Sequence, residues 1–550
     1  MRCSVPFIIA AAAFIALAMV QASDSSADGG ETYVVENGLR YQIVFDTGSA
    51  MLIGSVSDVP ENVVVPATVD YQGNPYKVNV IDDFAFFKEG IRTVTFDGQN
   101  IERVGRFAFD ATTIESINVE NDHPADPADN TLYMDVDGVL FKRNRLVSDN
   151  ELTLVRYPAS HPGTSYNISA SVVELDVGAF ENCTTIEEIT FDPDIRLPTI
   201  PQYAFHGCAS LQKIGYDGEF NTLPSSVISI EDIAFESCTG LLNIRAPDSL
   251  RSIMAFAFDG SGVARVALNR DISFISDYAF SDCGNLAGFE LDIDSTEQTG
   301  GYYADGGILY KTESSTTRLI CYPAGRTDVS FVIPDDVASI SDGSFYGCRH
   351  LKSVTLNSRM FYVPWSAFNS CVALETVTFS KSITIIEDSA FFGCTSLTSV
   401  SGWDNVTSIG YDAFSRCGFT SITLPPSIRT VLAYAFADSA LTEVTVPDAE
   451  VTLEVGVFNG CAGLKKITFE GGDMVLEEGA LNVGTSETGK LTVEVYVNNG
   501  VSVPSEAVSN EYTDMIVNEE GKHPYPYENL IAAFVCVLIL LGIMMIIKEV

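Results

Sequence analysis

The apolar positions in the middle of the chain keep one rhythm. A line of the form apolar–x–x–apolar–x–apolar returns as Ile91-x-x-Val94-x-Phe96, Leu351-x-x-Val354-x-Leu356, Leu374-x-x-Val377-x-Phe379 and Leu441-x-x-Val444-x-Val446. Alternation over its last three residues predicts a short strand with one face inward. A proline and a second apolar pair often follow, as in Leu424-Pro425-Pro426-Ser427-Ile428-x-x-Val431. A half-turn then carries Ser344-Phe345-x-x-Cys348, Ala367-Phe368-x-x-Cys371, Ala390-Phe391-x-x-Cys394 or Ala413-Phe414-x-x-Cys417, with the phenylalanines 23 residues apart. A period of this size predicts a solenoid of stacked coils, each burying its apolar face only against its neighbours.

Marker phenylalanines run from Phe86 to Phe458, and Leu481 is a degenerate last copy. Two gaps interrupt them, 71 residues between Phe109 and Phe180 and 65 between Phe280 and Phe345. The first holds Asp137-Gly138-Val139-Leu140-Phe141 and Tyr157-Pro158-Ala159; the second holds Gly306-Gly307-Ile308-Leu309-Tyr310 and Tyr322-Pro323-Ala324. They are expected to be hairpin-like inserts near 121–170 and 292–335 that divide the array, residues 81–481, into two related blocks. Residues 23–80 read as a flexible leader followed by a β-rich cap, because an uncapped solenoid would expose its core. Residues 482–502 contain a good strand at 491–497 and are expected to cap the other end. Residues 503–529 carry Pro504, Pro524 and Pro526 and read as a polar stalk.

Both ends are apolar. Residues 1–22 have Arg2, an apolar run from Val5 to Val20 and small residues at the end, the pattern of a secretory signal. Leu530 to Ile547 are consecutive uncharged, mostly apolar residues, which as a helix would cover about 27 Å, enough to cross a bilayer core. The expectation is a single-pass membrane protein with its N-terminal bulk extracellular and a tail of residues 548–550 inside; a cleaved signal for a lipid anchor is the alternative.

The composite Leu-x-x-Ile-x-Leu-Pro-x-x-Ile-x-x-Ile-x-x-x-Ala-Phe-x-x-Cys, matched closely by residues 374–397 and 441–461, resembles the BspA-like, or Treponema pallidum-type, leucine-rich repeats. The resemblance covers residues 84–481. It implies a β-rich leucine-rich-repeat solenoid with one short strand per coil, a parallel sheet on one face and a β-type N-terminal cap. It also implies a secreted or surface-anchored protein, since members with known roles are adhesins that bind extracellular proteins or partner cells. The C-terminal apolar segment departs from a bacterial sorting signal.

Charge narrows the partners. Asp and Glu number 73 against 31 Lys and Arg, a net charge of −42 that repels nucleic acid and anionic lipid. Nine of the twelve cysteines share one repeat position, where other copies place Glu89, Thr112, Ser261 and Ser439. A position that accepts Ser or Thr favours a buried thiol ladder, with serial disulfides as the alternative, since neighbouring coils lie within disulfide reach. Catalysis finds little support. Asp46-Thr47-Gly48-Ser49 resembles an aspartic-protease motif, but no second copy exists to share its proton, so it reads as a turn. The five histidines, His123, His161, His206, His350 and His523, are scattered. Asp135 and Asp137 lack the other ligands of a calcium loop. No enzyme activity, cofactor or metal site is therefore expected.

The most suggestive surface feature is a set of threonines at the outward middle position of the strands: Thr95, Thr190, Thr355, Thr378, Thr423, Thr445 and Thr468. β propensity and hydroxyl bonding between coils would suffice to place them. A flat, hydrogen-bonding face for protein partners is the functional reading. Asn167 and Asn405 head glycosylation sequons. The function expected is a cell-surface protein-binding and adhesion solenoid acting through extended non-covalent contacts; a structural envelope component or spacer is the alternative.

Overall fold

A computed structural model describes residues 32–519, except 57–58, 87–89, 99, 111–112, 121–130, 145–150, 292–300, 472–473, 486–487, 489 and 498–501. The secretory signal, the leader to residue 31, the membrane segment 530–547 and the tail lie outside the described residues. Among the described residues no helix is long and apolar enough to cross a membrane. Two compact units appear, one of residues up to 111 with 118–133, the other of 112–117 and 134 onward.

In the larger unit each coil contributes one strand to a face of parallel sheets. One sheet runs Ser330–Val332, Ser353–Thr355, Thr376–Thr378, Ser399–Ser401; the next runs Ser421–Thr423, Glu443–Val446, Lys466–Phe469, Leu491–Val497, Thr513–Glu519. A second wall is built from two- and three-residue strands such as Tyr362–Val363, Ile385–Ile386, Ser408–Ile409 and Thr430–Val431. The inward residues of both walls, among them Val354, Val377, Ile386 and Ile409, are buried.

The Ala-Phe turn closes each coil and joins it to the next. The phenylalanine N–H donates to the carbonyl of the residue before the next marker: Phe345 to Ala367, Phe368 to Ala390 and Phe391 to Ala413, each at 2.8 Å, and Phe414 to Ala435 at 2.7 Å. The rings stack face on face, with centroids 4.7 Å apart for Phe345–Phe368, 5.2 Å for Phe368–Phe391 and 5.1 Å for Phe391–Phe414. Each ring is fully buried and contributes about 1.5–3 kcal/mol by burial, with about 0.5–1.5 kcal/mol more from stacking.

The cysteines follow from the same geometry. Cys371 donates its S–H to the Phe345 carbonyl at 3.0 Å, Cys394 to Phe368 at 3.1 Å and Cys417 to Phe391 at 3.2 Å. Ser439, which replaces cysteine in its coil, donates to Phe414 at 3.1 Å. The position therefore takes a small side chain that adds a second donor to a buried carbonyl already accepting a backbone N–H within its own turn, as Phe345 accepts from Cys348 at 3.2 Å and Phe368 from Cys371 at 3.3 Å. The described cysteines are free thiols. Burial pushes the Cys283 and Cys461 thiols up to about 12 and the Cys417 thiol higher still.

Two left-handed residues bracket each phenylalanine turn from Phe180 to Phe458, two before and two after the phenylalanine. Ile233 (φ 64°) and Ser237 (φ 59°) flank Phe235; Phe256 (φ 57°) and Gly260 (φ 60°) flank Phe258. They reverse the chain sharply enough for coils to stack at strand spacing. A side chain there costs roughly 1–2 kcal/mol, which the surrounding ladder overrides.

The inserts are three-stranded hairpin modules. In the second, Tyr302–Asp305 and Ile308–Glu313 pair antiparallel around Gly306 and Gly307, Ile308–Glu313 pairs antiparallel with Thr316–Cys321, and that strand pairs parallel with Val337–Ile340. The first repeats this plan: the Asp137-Gly138 turn, then Val139–Arg143 antiparallel to Leu152–Arg156, and Leu152–Arg156 parallel to Val172–Leu175. Tyr157 and Tyr322 take the marker position; their rings stack on Phe180 at 5.2 Å and on Phe345 at 4.9 Å. The smaller unit contains the module once more. Tyr33–Glu36, Leu39–Val44 and Ser49–Ser55 pair antiparallel in turn around Asn37-Gly38, and Ser49–Ser55 pairs parallel with Asn74–Ile81. All three carry a register shift at the same place, at Arg40/Tyr41, Leu140/Phe141 and Leu309/Tyr310. The expected N-terminal cap is thus a third copy of the insert.

One expectation is corrected. Residues 503–519 do not belong to a stalk: Leu481 donates its N–H to the Ala507 carbonyl at 2.8 Å, and Thr513–Glu519 pairs parallel with Leu491–Val497. Ala507 occupies the alanine position of a further coil whose marker has become Val508, which hid it.

Two substitutions test this account by chemical denaturation. Cys394→Ser should keep the bond to Phe368 and cost under about 1 kcal/mol, whereas Cys394→Val removes one of the two donors to that carbonyl, leaving the Cys371 N–H, and should cost about 0.5–1.5 kcal/mol. Ser237→Gly should stabilise the protein by about 1 kcal/mol by relieving its left-handed conformation, and Gly260→Val, one coil on, should destabilise it by at least as much.

Candidate functional site

The strand face is where the fold exposes a regular surface. In Ser353–Thr355 and Thr376–Thr378 the central valine points into the core, so the flanking hydroxyls point out. Register places Ser330, Ser353, Thr376 and Ser399 in one row, and Val332, Thr355, Thr378 and Ser401 in a second row beside it. Ser421 and Thr423 begin the following sheet with the same alternation.

The threonines singled out from sequence fall into four groups. Thr355 and Thr378 are partners in register, and Ser401 extends them, its hydroxyl 3.4 Å from that of Thr378. Thr423, Thr445 and Thr468 are successive partners that end on Tyr496. Thr190 stands beside Asn167 and donates to its amide oxygen at 2.9 Å. Thr95 lies in the smaller unit opposite the exposed Val64. They do not form one column: Arg245, Ala267 and Glu290 hold the equivalent position in the sheet between Thr190 and Thr355. The row Ser330, Ser353, Thr376 and Ser399 is a site feature outside the expected set, although alternation two residues earlier in each strand signals it.

The sheet containing Arg245 has different chemistry. The coil between Phe205 and Phe235 is 30 residues long, and its extra length forms a loop at 215–220 between two face sheets. Asp217 accepts N–H bonds from Phe220 at 2.8 Å and Glu219 at 2.9 Å, which hold its carboxyl below the usual range. Phe220 is only 1% exposed, and the Arg245 and Arg265 guanidiniums lie 4.2 and 4.8 Å from its ring centre. Arg245 pairs with Asp217 at 2.6 Å, and Arg265 with Glu290 at 2.6 Å and Glu219 at 3.3 Å. Tyr216, 44% exposed, belongs to the same loop, its hydroxyl donating to the Gly218 carbonyl at 2.6 Å. Tyrosine and arginine are the residue types that most often dominate protein interfaces.

Other sequence candidates have local roles. His161 accepts the Tyr157 hydroxyl at Nδ1 (2.8 Å) and meets the Asp137 carbonyl with Nε2 (3.1 Å), so it ties the hairpin turn to the Tyr-Pro-Ala segment. Thr47 and Ser49 bond each other at 2.6 Å in the turn after Leu39–Val44. Asn167 and Asn405 are both exposed, the latter donating to the Lys381 carbonyl at 2.7 Å.

This architecture agrees with comparison to known proteins. The model of the BspA type leucine rich repeat region matches residues 72–125, 159–286, 219–304, 327–439 and 394–492, together more than half of the chain. The chain belongs to that family, one of binding and surface proteins rather than enzymes. No curated protein matches it. Among solved structures it is similar to a leucine rich cell surface protein from Faecalibacterium prausnitzii A2-165, with 21% identity over 82% of this chain and 96% of the other and a TM-score of 0.43. A leucine-rich repeat protein from Eubacterium ventriosum is 16% identical over 91% and 98%, with a TM-score of 0.42. The leucine rich repeat protein of T. pallidum is 18% identical over 48% and 88%, with a TM-score of 0.22.

Proposed function

We propose that this protein is a cell-surface adhesion solenoid that binds extracellular proteins through its strand face and is held by one C-terminal membrane helix. The observation that carries this reading is how little of the chain's acidic excess lies on that face. From Ser165–Ile168 to Thr513–Glu519 the face strands of the larger unit contain six acidic residues, Glu188, Glu290, Glu443, Glu494, Asp514 and Glu519, and four basic ones, Lys213, Arg245, Arg265 and Lys466. Five successive strands, Ser330–Val332, Ser353–Thr355, Thr376–Thr378, Ser399–Ser401 and Ser421–Thr423, contain no charge at all. The whole chain carries −42, so its acid lies elsewhere. Acidic surroundings keep the molecule soluble and resist indiscriminate association, while an uncharged hydroxyl face is cheap to desolvate and rich in donors and acceptors.

Family membership supports a surface role, because BspA-like proteins are typically found there and leucine-rich repeats commonly mediate protein–protein interaction. The apolar run from Leu530 to Ile547 supports anchoring. Binding then rests on many weak contacts over a rigid surface, with the Tyr216, Arg245 and Arg265 cluster as a second point of engagement.

Two experiments test the reading on cells that display the full chain. Replacing Thr355, Thr378 and Thr423 together by Lys should leave the melting temperature nearly unchanged and reduce saturable capture of neighbouring-cell surface proteins at least tenfold; undiminished capture rules out the face. A stop codon before Leu530 should release the protein into the medium, and retention at the membrane would rule out the helix as anchor.

A further inference from the structure

The residue after the marker phenylalanine is titratable in four successive coils: Glu181, His206, Glu236 and Asp259. In later coils the same position holds Asn369, Phe392, Ser415 and Ala437. The His206 imidazole lies between two coils, with Nδ1 3.2 Å from Glu181 Oε1 and Nε2 3.7 Å from Glu236 Oε2. We propose that this column is a proton-linked clasp, which takes up protons at mildly acidic pH and tightens the coils from Gly178 to Cys283, and which loosens them at alkaline pH.

The groups facing the column come from every neighbouring element. From the preceding segment Arg156, itself buried, reaches Glu181 Oε2 at 3.6 Å and donates to the carbonyls of Gly178 (2.6 Å) and Glu181 (3.3 Å). Glu181 is 6% exposed and its Oε2 accepts no hydrogen bond. On the histidine's own turn Tyr203 sets its ring edge-on, with centroids 5.7 Å apart. In the next coil Asp232 is engaged by the Ala255 N–H at 2.9 Å. Beyond it Ser281 donates to Asp259, Asp282 pairs with Arg349 at 3.2 Å, and Tyr346 lies near both aspartates.

Electrostatics gives the direction. A doubly protonated imidazole donates to both carboxylates and bridges three coils; a neutral one presents a lone pair to one of them. Burial raises the Glu236 carboxyl above its usual range, and burial pushes Asp259 up to about 7, against the bond from Ser281. An acid raised in the folded state contributes stability that is fully present below its unfolded value and is lost as pH rises through the folded one. The imidazolium needs Glu181 and Glu236 ionised to bridge them and opposes protonation of Glu236, while Asp259, raised by burial, takes up its own proton; bridging and Asp259 protonation close the clasp as pH falls from 8 towards 5.

Amide hydrogen exchange on the full-length protein in detergent, corrected for the intrinsic pH dependence of exchange, reads this directly. Peptides covering 178–183, 203–208, 233–238 and 256–261 should gain at least threefold protection at pH 5.5 relative to pH 8, while the turns at 366–371 and 389–394 change less. Asp259→Asn mimics the protonated acid, so it should raise protection of 256–261 at pH 8 to the acid level. His206→Gln should remove most of the gain at pH 5.5 in 178–183, 203–208 and 233–238. The proposal is overturned if both sets of turns respond equally, if neither variant alters the pH response, or if the Asp259→Asn variant fails to fold, because the neutral form of that acid is the one the clasp favours.

Discussion

Everything in the array depends on one bond repeated between coils, the marker phenylalanine N–H donating to the carbonyl just before the next marker. It brings successive turns to the spacing at which phenylalanine rings stack, and the stacked rings in turn keep water from the bond. Neither works alone: a single coil exposes both faces of its phenylalanine and leaves its turn amide without a partner. The left-handed residues on either side of Ala-Phe are tolerated because the ladder overdetermines them. The thiols add a further tie between coils, each donating to the phenylalanine carbonyl of the preceding coil.

The same constraint explains how the array accepts interruptions. Each of the two inserts carries a tyrosine that re-enters the ladder, with Tyr157 donating to Ala179 at 2.7 Å and Tyr322 to Ser344 at 2.8 Å. The module can therefore grow its antiparallel strands away from the stack while the ring column continues through it. Its two-residue turns, Asn37-Gly38, Asp137-Gly138 and Gly306-Gly307, all place both residues at positive φ, as tight hairpins with right-handed twist require. Three copies of one device imply that the chain grew by repeating whole blocks as well as single coils.

Because packing is settled at the turns and inner strand positions, the outward strand residues are free to vary, and function is free to settle there. The repeat phrase, the period and the inward apolar positions were all legible in the sequence, since burial leaves them little choice of residue. The seven threonines were legible as outward positions but not as neighbours: which of them share a row depends on where sheets break, and Ser399–Ser401 and Ser421–Thr423 fall in different sheets although their sequences look continuous. The 215–220 loop, the arginines over Phe220 and the Glu181–His206–Glu236 column join residues roughly 25 apart, and nothing in their local sequence distinguishes them from solvated charges.

The sequence by itself determined the repeat, the side of each strand that faces inward, the chemistry allowed at the turn and the uncharged character of the 330–423 strands, because each follows from a period or a composition. The tertiary structure alone decided the kinship of the N-terminal segment with the two inserts and the membership of residues 503–519 in the stack. In both cases the marker residues had diverged while the backbone pairing persisted. Hydrogen-bond register acts between main chains, so it survives substitutions that erase the motif by which a sequence is read.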